Sequence, residues 1–220
     1  LSTLKKDKET GDIDKIKEVD WVLEAVVERL DIKESIYKKL LPHLKETAIL
    51  SSNTSGIPLH DLTKKLPEKV KKRFLITHFF NPPRYMQLLE LVRGDQTNDD
   101  TYETMIEFGE SVLGKGIVHA KDTPNFIGNR IGVYGMMTAI NLAEEHGLTV
   151  EEVDKLTGTI SGRPKSATFR TADVVGLDTL KNVSLTTYEK APEDEERDIF
   201  KIPSVLEKLV ETDGKVEDRQ

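Results

Sequence analysis

Short apolar runs alternate with helix-like segments through the first half of this chain, and this alternation restricts the fold more than any other feature. Residues 21–27 are apolar and rich in β-branched side chains, which is typical of a strand buried on both faces of a sheet. In residues 31–45, apolar side chains return every three or four positions, which predicts a helix. Strand–helix alternation of this kind predicts an α/β fold with a parallel sheet.

The alternation continues to about residue 119 and then stops. Further strands are predicted at residues 48–51, 74–78, 88–92 and 116–119, and helices at residues 59–66 and 99–113. Thr123-Pro124 favours a helix start, and an apolar helical pattern runs from there to Gly147. We therefore predict two domains, residues 1–120 with the sheet and residues 121–220 with helices alone.

Composition excludes several classes of protein. A net charge of −7 argues against general nucleic-acid binding, which needs excess positive charge to displace counterions. No run approaches the roughly 20 apolar residues of a membrane span, so we expect a cytoplasmic protein. The chain has no cysteine and its histidines lack zinc-type spacing, so we expect no metal.

Two segments carry too little apolar surface to pack, and a third has a helix-start pattern. The acidic segment 193–198 is predicted to be a surface loop, and the polar tail from Glu211 a loose end. Thr149 and Glu152 have the spacing of a capping box, which predicts that a helix begins between them.

A histidine and a glutamate stand in neighbouring predicted strands. His78 ends the strand at 74–78, and the Asn-Pro-Pro that follows stops the strand from continuing. Histidine has the side-chain pKa nearest to that needed to take a hydroxyl proton as a hydride leaves. A compact turn would place the Glu90 carboxylate beside this imidazole and fix its tautomer. From the residues alone, such a pair is more often structural than catalytic.

Two uncharged hydrogen-bonding residues complete the candidate site. Ser55 and Asn129 can hold a substrate oxygen without competing for the proton. On sequence alone, the simpler interpretation is a turn or cap residue for Ser55 and a helix-surface residue for Asn129. Ser55, His78 and Glu90 also stand in an order that a hydrolase triad could have. The serine lacks the Gly-x-Ser-x-Gly turn that exposes a nucleophile, which argues against that class.

Taken together, four segments resemble the NAD-dependent L-3-hydroxyacyl-CoA dehydrogenase family. They are Ser-Asn-Thr-Ser-Gly at 52–56, Thr-His-Phe-Phe-Asn-Pro at 77–82, the run around Glu90 at 88–92, and Asp-Thr-Pro-Asn-Phe-Ile-Gly-Asn-Arg at 122–130. Residues 162–173 resemble the multifunctional β-oxidation branch of that family. The likeness extends from about residue 19 to about residue 203.

The resemblance implies a partial Rossmann-like parallel sheet followed by an all-helical C-terminal domain. The family begins with a strand, a Gly-x-Gly-x-x-Gly turn and a helix that together hold the cofactor pyrophosphate. That glycine pattern does not occur in this sequence. We therefore expect an incomplete first βαβ unit in residues 1–120, in a piece of a longer protein or a chain stripped of that unit.

The resemblance also implies an activity and its residues. It implies an oxidoreductase that transfers a hydride between the C3 hydroxyl carbon of a 3-hydroxyacyl-CoA and NAD in fatty-acid β-oxidation. His78 is then the acid/base, Glu90 orients it, and Ser55 and Asn129 hold the substrate oxygen. The residues implied near the nicotinamide are Ala25, Glu28, Lys33, Ser55 and Asn81.

The resemblance further implies partners for this chain. It implies an acyl-CoA substrate, a homodimer formed through the helical domain, and an enoyl-CoA hydratase domain fused to or associated with it. The alternative is a non-catalytic fragment that serves as a dimerisation or docking module of a larger multifunctional enzyme.

Overall fold

The structure, a computed structural model, describes residues 13–213. It divides in sequence between Phe126 and Ile127 into a first and a second compact unit. The boundary predicted from the sequence lies earlier, after residue 120. The end of the predicted loose tail lies outside the described residues.

The first unit contains the sheet. Its strands are β1 (Trp21–Glu24), β2 (Ile49–Ser52), β3 (Phe74–Phe79), β4 (Leu88–Arg93) and β5 (Gly116–Ala120). Among the described residues they form one five-stranded sheet in the order β1-β2-β3-β4-β5. The strand predicted over 21–27 is shorter because the Val26 amide bonds to the Glu24 carboxylate at 2.7 Å.

The α/β class and the largely parallel sheet are confirmed, and one strand pairing differs from the prediction. β1–β2, β2–β3 and β4–β5 pair in parallel, whereas β3–β4 is antiparallel. Residues 80–87 connect β3 to β4, and they are too few for the crossover of about a dozen or more residues that a parallel pair requires. β4 therefore returns beside β3 as a hairpin.

The helices of the first unit follow the predicted pattern, but the predicted ones end earlier than expected and one further helix is present. They are α1 (Leu30–Leu40), α2 (Leu59–Thr63), α3 (Glu68–Lys71) and α4 (Asp99–Glu107), with 3-10 turns at Ile13–Glu18 and Leu41–His43 and a π-helical turn at Phe108–Val112. The helix predicted over 59–66 ends at Thr63. The sequence missed α3 because four residues are too few to show a helical period.

The sheet is covered on both faces. On one face, Leu50, Phe74 and Ile76 pack with Tyr37 of α1 and with α2 and α3, and α4 packs on the opposite face. Side chains alternate along a strand, so His78 lies on the same face as Ile76. The candidate acid/base therefore stands at the end of β3, on the face covered by α1.

The second unit is helical throughout its described part. Its helices are α5 (Gly128–His146), α6 (Val150–Leu156), α7 (Phe169–Val175), α8 (Leu177–Lys190) and α9 (Ser204–Asp213), with 3-10 turns at Thr159–Ser161 and Arg197–Phe200. The core of this unit forms around Met137, Ile140, Leu180 and Phe200. The predicted capping box of Thr149 and Glu152 is present at the start of α6. Among the described residues, the helices are too short or too polar to cross a membrane.

The start of α5 corrects the helix predicted from Thr123-Pro124. Asn125 and Phe126 have φ angles of 59° and 49°. These values lie in the left-handed region, which is unfavourable for residues other than glycine. A right-handed helix cannot pass through them, so α5 begins at Gly128. The turn buries Phe126 in the core of the first unit.

The acidic segment 193–198 is largely exposed and consists mostly of turns, as predicted for a surface loop, and one of its side chains anchors it. Asp194 forms an ion pair with Arg130, and its side chain is buried. Phe200, just beyond the segment, is also buried. The predicted loose end at Glu211 continues α9 as far as Asp213.

Asp122 caps α2 from a distant part of the sequence. Its Oδ1 accepts from the Leu59 amide at 2.8 Å, and its Oδ2 accepts from the His60 amide at 3.3 Å. These are among the first amides of α2, which have no acceptor inside the helix. The cap therefore fixes the segment that follows β2.

We expect Asp122→Ala to lower the free energy of unfolding by about 1 kcal/mol, because it leaves those amides without an acceptor. Urea unfolding followed by circular dichroism measures the change. Asp95→Ala, an exposed aspartate in a turn, is the matched control and should lie within experimental error of the original protein. Equal losses for the two variants would contradict the capping role.

Candidate active site

His78 and Glu90 face each other across the β3–β4 ladder. The antiparallel register pairs these residues directly, and His78 Nδ1 lies 2.7 Å from Glu90 Oε2. His78 is 5% exposed and Glu90 is 0% exposed. A carboxylate only accepts, so Nδ1 carries the hydrogen and Nε2 of the neutral ring is the proton acceptor. Among the described residues, Nε2 has no hydrogen-bond partner.

Two aromatic rings restrict the imidazole. The Phe80 ring centroid lies 4.5 Å from that of His78, and the Phe126 centroid lies 5.7 Å away. The left-handed turn at Asn125 and Phe126 brings the second ring to this position. The imidazole is therefore held by a carboxylate on one nitrogen and by apolar walls around the ring.

The loop after β2 carries Ser55 and is tied to the end of β3. Asn53 Oδ1 accepts from the Phe79 amide at 2.9 Å, and the Asn53 amide donates to the Glu24 carbonyl at 2.7 Å. Ser55 is half-buried, and among the described residues its hydroxyl has no hydrogen-bond partner. Ser55 follows β2, and His78 lies near the end of β3. Both residues are therefore at the edge of the sheet where open α/β sheets bind ligands.

A buried ion pair lies behind this edge. Lys33 Nζ is 2.8 Å from Glu24 Oε1, and both side chains are almost completely buried. The Glu24 carboxylate also accepts from the Tyr37 hydroxyl at 3.0 Å and the Ser52 hydroxyl at 2.7 Å. Buried charges are tolerated when they are paired and hydrogen-bonded in this way. Burial and then the Glu24 charge raise the pKa of the Tyr37 phenol, which stays a hydrogen-bond donor.

Glu28 joins the ion pair to the Ser55 loop. Its Oε2 lies 3.2 Å from Lys33 Nζ, and its Oε1 accepts from the Thr54 hydroxyl at 2.5 Å and the Ser55 amide at 2.9 Å. Burial opposes ionisation of Glu28, but the Thr54 hydrogen bond, the Lys33 charge and the Ser55 amide outweigh it. The pKa of Glu28 therefore lies below its ordinary value.

The remaining predicted residues occupy separate places. Ala25 follows β1 and Asn81 follows β3, and both are exposed. Asn129 is the second residue of α5 in the second unit and is half-buried. Lys33, also predicted near the nicotinamide, is 1% exposed, and its ammonium group lies 2.8 Å from Glu24 Oε1.

Glu24 and Tyr37 support the candidate site from the core, and the sequence reasoning missed both. Leu30, Lys33, Tyr37 and Leu40 recur at helical spacing, which places a lysine on the apolar face of α1. A lysine in such a position needs a buried acid, and that requirement is the signal that could have identified Glu24.

The segment from Asp122 to Phe126 also contacts the candidate site, and its sequence does not predict this contact. A Cβ added at Gly56 would lie 3.1 Å from Asn125 Oδ1, tighter than most side chains tolerate. Gly56 therefore allows the Ser55 loop to approach Asn125. The sequence gives no pattern for this contact, because the two residues lie far apart along the chain.

Comparison with known proteins gives two family matches and several relatives. Residues 2–123 match the model described as 3-hydroxyacyl-CoA dehydrogenase, NAD binding domain, and residues 126–218 match 3-hydroxyacyl-CoA dehydrogenase, C-terminal domain. A Bacillus subtilis protein named Probable 3-hydroxyacyl-CoA dehydrogenase is 49% identical over 91% of this chain and 25% of its own length. A Rickettsia prowazekii protein, named as a fatty acid oxidation complex trifunctional enzyme, is 39% identical over 91% of this chain and 28% of its own length.

A solved structure also resembles the chain. The crystal structure of M. tuberculosis FadB2 is 33% identical with a TM-score of 0.81, over 92% of this chain and 69% of that one. The chain spans about a quarter of the length of the two curated relatives above.

We expect Lys33→Met to lower the free energy of unfolding by about 3–5 kcal/mol at neutral pH, because it leaves the buried Glu24 carboxylate without its cation. Adding Glu24→Gln to this variant should recover part of the loss, since the buried charge is then gone. Urea unfolding measures both. Lys38→Met, an exposed position of the same helix, is the control. A Lys33→Met protein as stable as the original would show that the pair contributes nothing.

Glu28 should stabilise the fold only where it is ionised. Its folded pKa is lowered, so its contribution is complete above the unfolded pKa of about 4.3 and disappears as the pH falls through the folded pKa. We expect Glu28→Gln to be less stable than the original protein at pH 7 and the two to converge in acid. Urea midpoints at pH 7 and in acid test this, and a constant difference would contradict it.

Proposed function

The chain belongs to the 3-hydroxyacyl-CoA dehydrogenase family, and from this we propose that it forms part of an enzyme that transfers a hydride between NAD and the C3 hydroxyl carbon of a 3-hydroxyacyl-CoA in fatty-acid β-oxidation. The observation that carries the proposal is the His78–Glu90 pair at 2.7 Å, with Nε2 left as the available ring nitrogen. The fold and the family fit this chemistry at the edge of the sheet.

His78 is the acid/base in this proposal. During oxidation its Nε2 takes the proton of the C3 hydroxyl as the C–H bond breaks and the hydride leaves, so the alcohol becomes a ketone. Glu90, 2.7 Å from Nδ1, stabilises the imidazolium that forms. In reduction, the same nitrogen returns the proton to the carbonyl oxygen.

Ser55 and Asn129 hold the substrate oxygen. The Ser55 hydroxyl, which has no partner among the described residues, can donate to that oxygen as charge develops on it. Asn129 supplies an amide from the first turn of α5. We propose residues 1–120 as the NAD-binding domain and residues 121–220 as the helical domain of the family.

The residues at the sheet edge fit the nicotinamide end of the cofactor. When bound, NAD supplies the hydride acceptor. Ala25 and Asn81 are exposed at the ends of β1 and β3, and the small side chain of Ala25 leaves room for a ring. Glu28, Lys33 and Ser55 complete the cofactor residues that we propose, with Lys33 acting from its buried place through Glu28.

The proposed partners follow from the family and the surface of the second unit. An acyl-CoA is the proposed substrate. Leu142, Leu148 and Leu156 are exposed apolar residues around a groove between α5 and α6, which supports a homodimer through this unit. The trifunctional relative supports a fused or associated hydratase domain. The proposed compartment is the cytoplasm.

We expect His78→Gln to lower kcat by roughly 10²–10⁴-fold, the usual loss for a general base, while NADH binding remains. Turnover is followed by NADH absorbance with a 3-oxoacyl-CoA, in the full-length protein that carries this sequence, and NADH binding by calorimetry. His146→Gln, in the last turn of α5, is the control and should keep normal turnover.

Two outcomes would contradict the proposal. Unchanged turnover in His78→Gln would remove this histidine from the reaction. Absence of NADH binding at millimolar concentration in the original full-length protein would favour a non-catalytic docking module instead.

A further inference from the structure

The Ser55 loop is held by one oxygen of Glu28. Glu28 Oε1 accepts from the Thr54 hydroxyl at 2.5 Å, the Ser55 amide at 2.9 Å and the Gly56 amide at 3.1 Å. Hydrogen bonds to an ionised acceptor are about twice as strong as those between neutral groups. Three donors from consecutive residues therefore converge on a single fixed point.

Thr54 closes the same loop from the inside. Its Oγ1 accepts from the Ile57 amide at 3.0 Å while donating to Glu28, so one hydroxyl joins both sides of the turn. The side chain is 0% exposed. A side chain with no exposed surface cannot touch a ligand, so any effect of Thr54 on a reaction has to pass through the loop.

The Glu28 carboxylate is itself held by charged side chains of the core. Glu28 Oε2 lies 3.2 Å from Lys33 Nζ, and Lys33 lies 2.8 Å from the buried Glu24 carboxylate. On its other side the loop meets Asn125, whose Oδ1 would lie 3.1 Å from a Cβ at Gly56 and so leaves little space for one. The backbone of residues 54–56 is thus fixed from two directions, yet the Ser55 hydroxyl at its centre has no partner among the described residues.

We propose that Thr54 and Glu28 form a clamp that sets the position of the Ser55 hydroxyl, and that both are positioning residues for hydride transfer. The inference rests on the proposed function, because the position of Ser55 matters only if its hydroxyl holds the substrate oxygen. Such a donor is effective only when it is held within about 0.5 Å of its productive place. Loss of the clamp therefore lowers the rate of the chemical step through Ser55.

The kinetic test compares two replacements of Thr54. Thr54→Val keeps the shape but loses the hydroxyl, and Thr54→Ser keeps the hydroxyl. In the full-length protein we expect Thr54→Val to lower kcat roughly 10- to 100-fold, with a much smaller change in the KM for NAD. Thr54→Ser should restore kcat. Thr104→Val, an exposed threonine of α4, is the matched control and should not change it.

Hydrogen exchange tests the clamp without any substrate. The Ser55 and Gly56 amides should be protected in the original protein and lose protection in Thr54→Val and in Glu28→Ala. Glu34→Ala, on α1 but bonded to Lys65 outside the loop, should keep the protection. Because the Glu28 side chain is 42% exposed, its replacement provides a folded variant even if Thr54→Val unfolds.

The outcomes separate the clamp from the proposed function. A normal kcat in Thr54→Val, or a Thr54→Ser variant as slow as Thr54→Val, overturns the positioning role. A raised KM for NAD at normal kcat in Thr54→Val overturns it as well, since Thr54 would then act on cofactor binding and not on the position of Ser55. Unchanged protection of the two amides in Glu28→Ala overturns the clamp itself. If the original protein has no turnover but the amides lose protection as expected, the proposed function fails and the clamp stands.

Discussion

The hairpin of β3 and β4 is the constraint on which the candidate site depends. Because so few residues connect the two strands, β4 has to run antiparallel to β3, and the backbone ladder places His78 opposite Glu90. The separation of the imidazole and the carboxylate is therefore set by strand pairing rather than by flexible side chains. Lys115 secures the connection, since its ammonium group donates to the carbonyl oxygens of Pro83 and Met86.

Three charged side chains form a connected set of ion pairs behind this edge of the sheet. Glu24 and Lys33 neutralise each other in the core, and Glu28 extends the pair towards the loop after β2. Each added partner reduces the cost of keeping the previous charge away from water. The chain of ionic contacts thus connects the interior of the first unit to the loop that carries Ser55.

The sequence predicts much of the fold because the apolar periodicity of strands and helices is local. The pairing of His78 with Glu90 could also be expected, because the connection between their two strands is short. A turn of that length brings the two residues side by side. The left-handed conformation of Phe126 could not, because it depends on burial against a core formed by distant strands. The local pattern at Thr123-Pro124 predicts a helix start. Tertiary packing of Phe126 instead delays the start of the helix. The role of Thr54 could not be predicted for a related reason, because its hydrogen-bond partner Glu28 lies on another loop.

The short stretch from Asp122 to Phe126 serves three neighbours at once. Asp122 caps α2, Asn125 abuts Gly56, and Phe126 forms a wall beside the imidazole. These contacts point in different directions, so their spacing along the backbone is fixed as strictly as their chemistry. Insertion or deletion of a single residue here would misalign all three together. Among related sequences, this stretch should accordingly keep its length even where individual side chains drift.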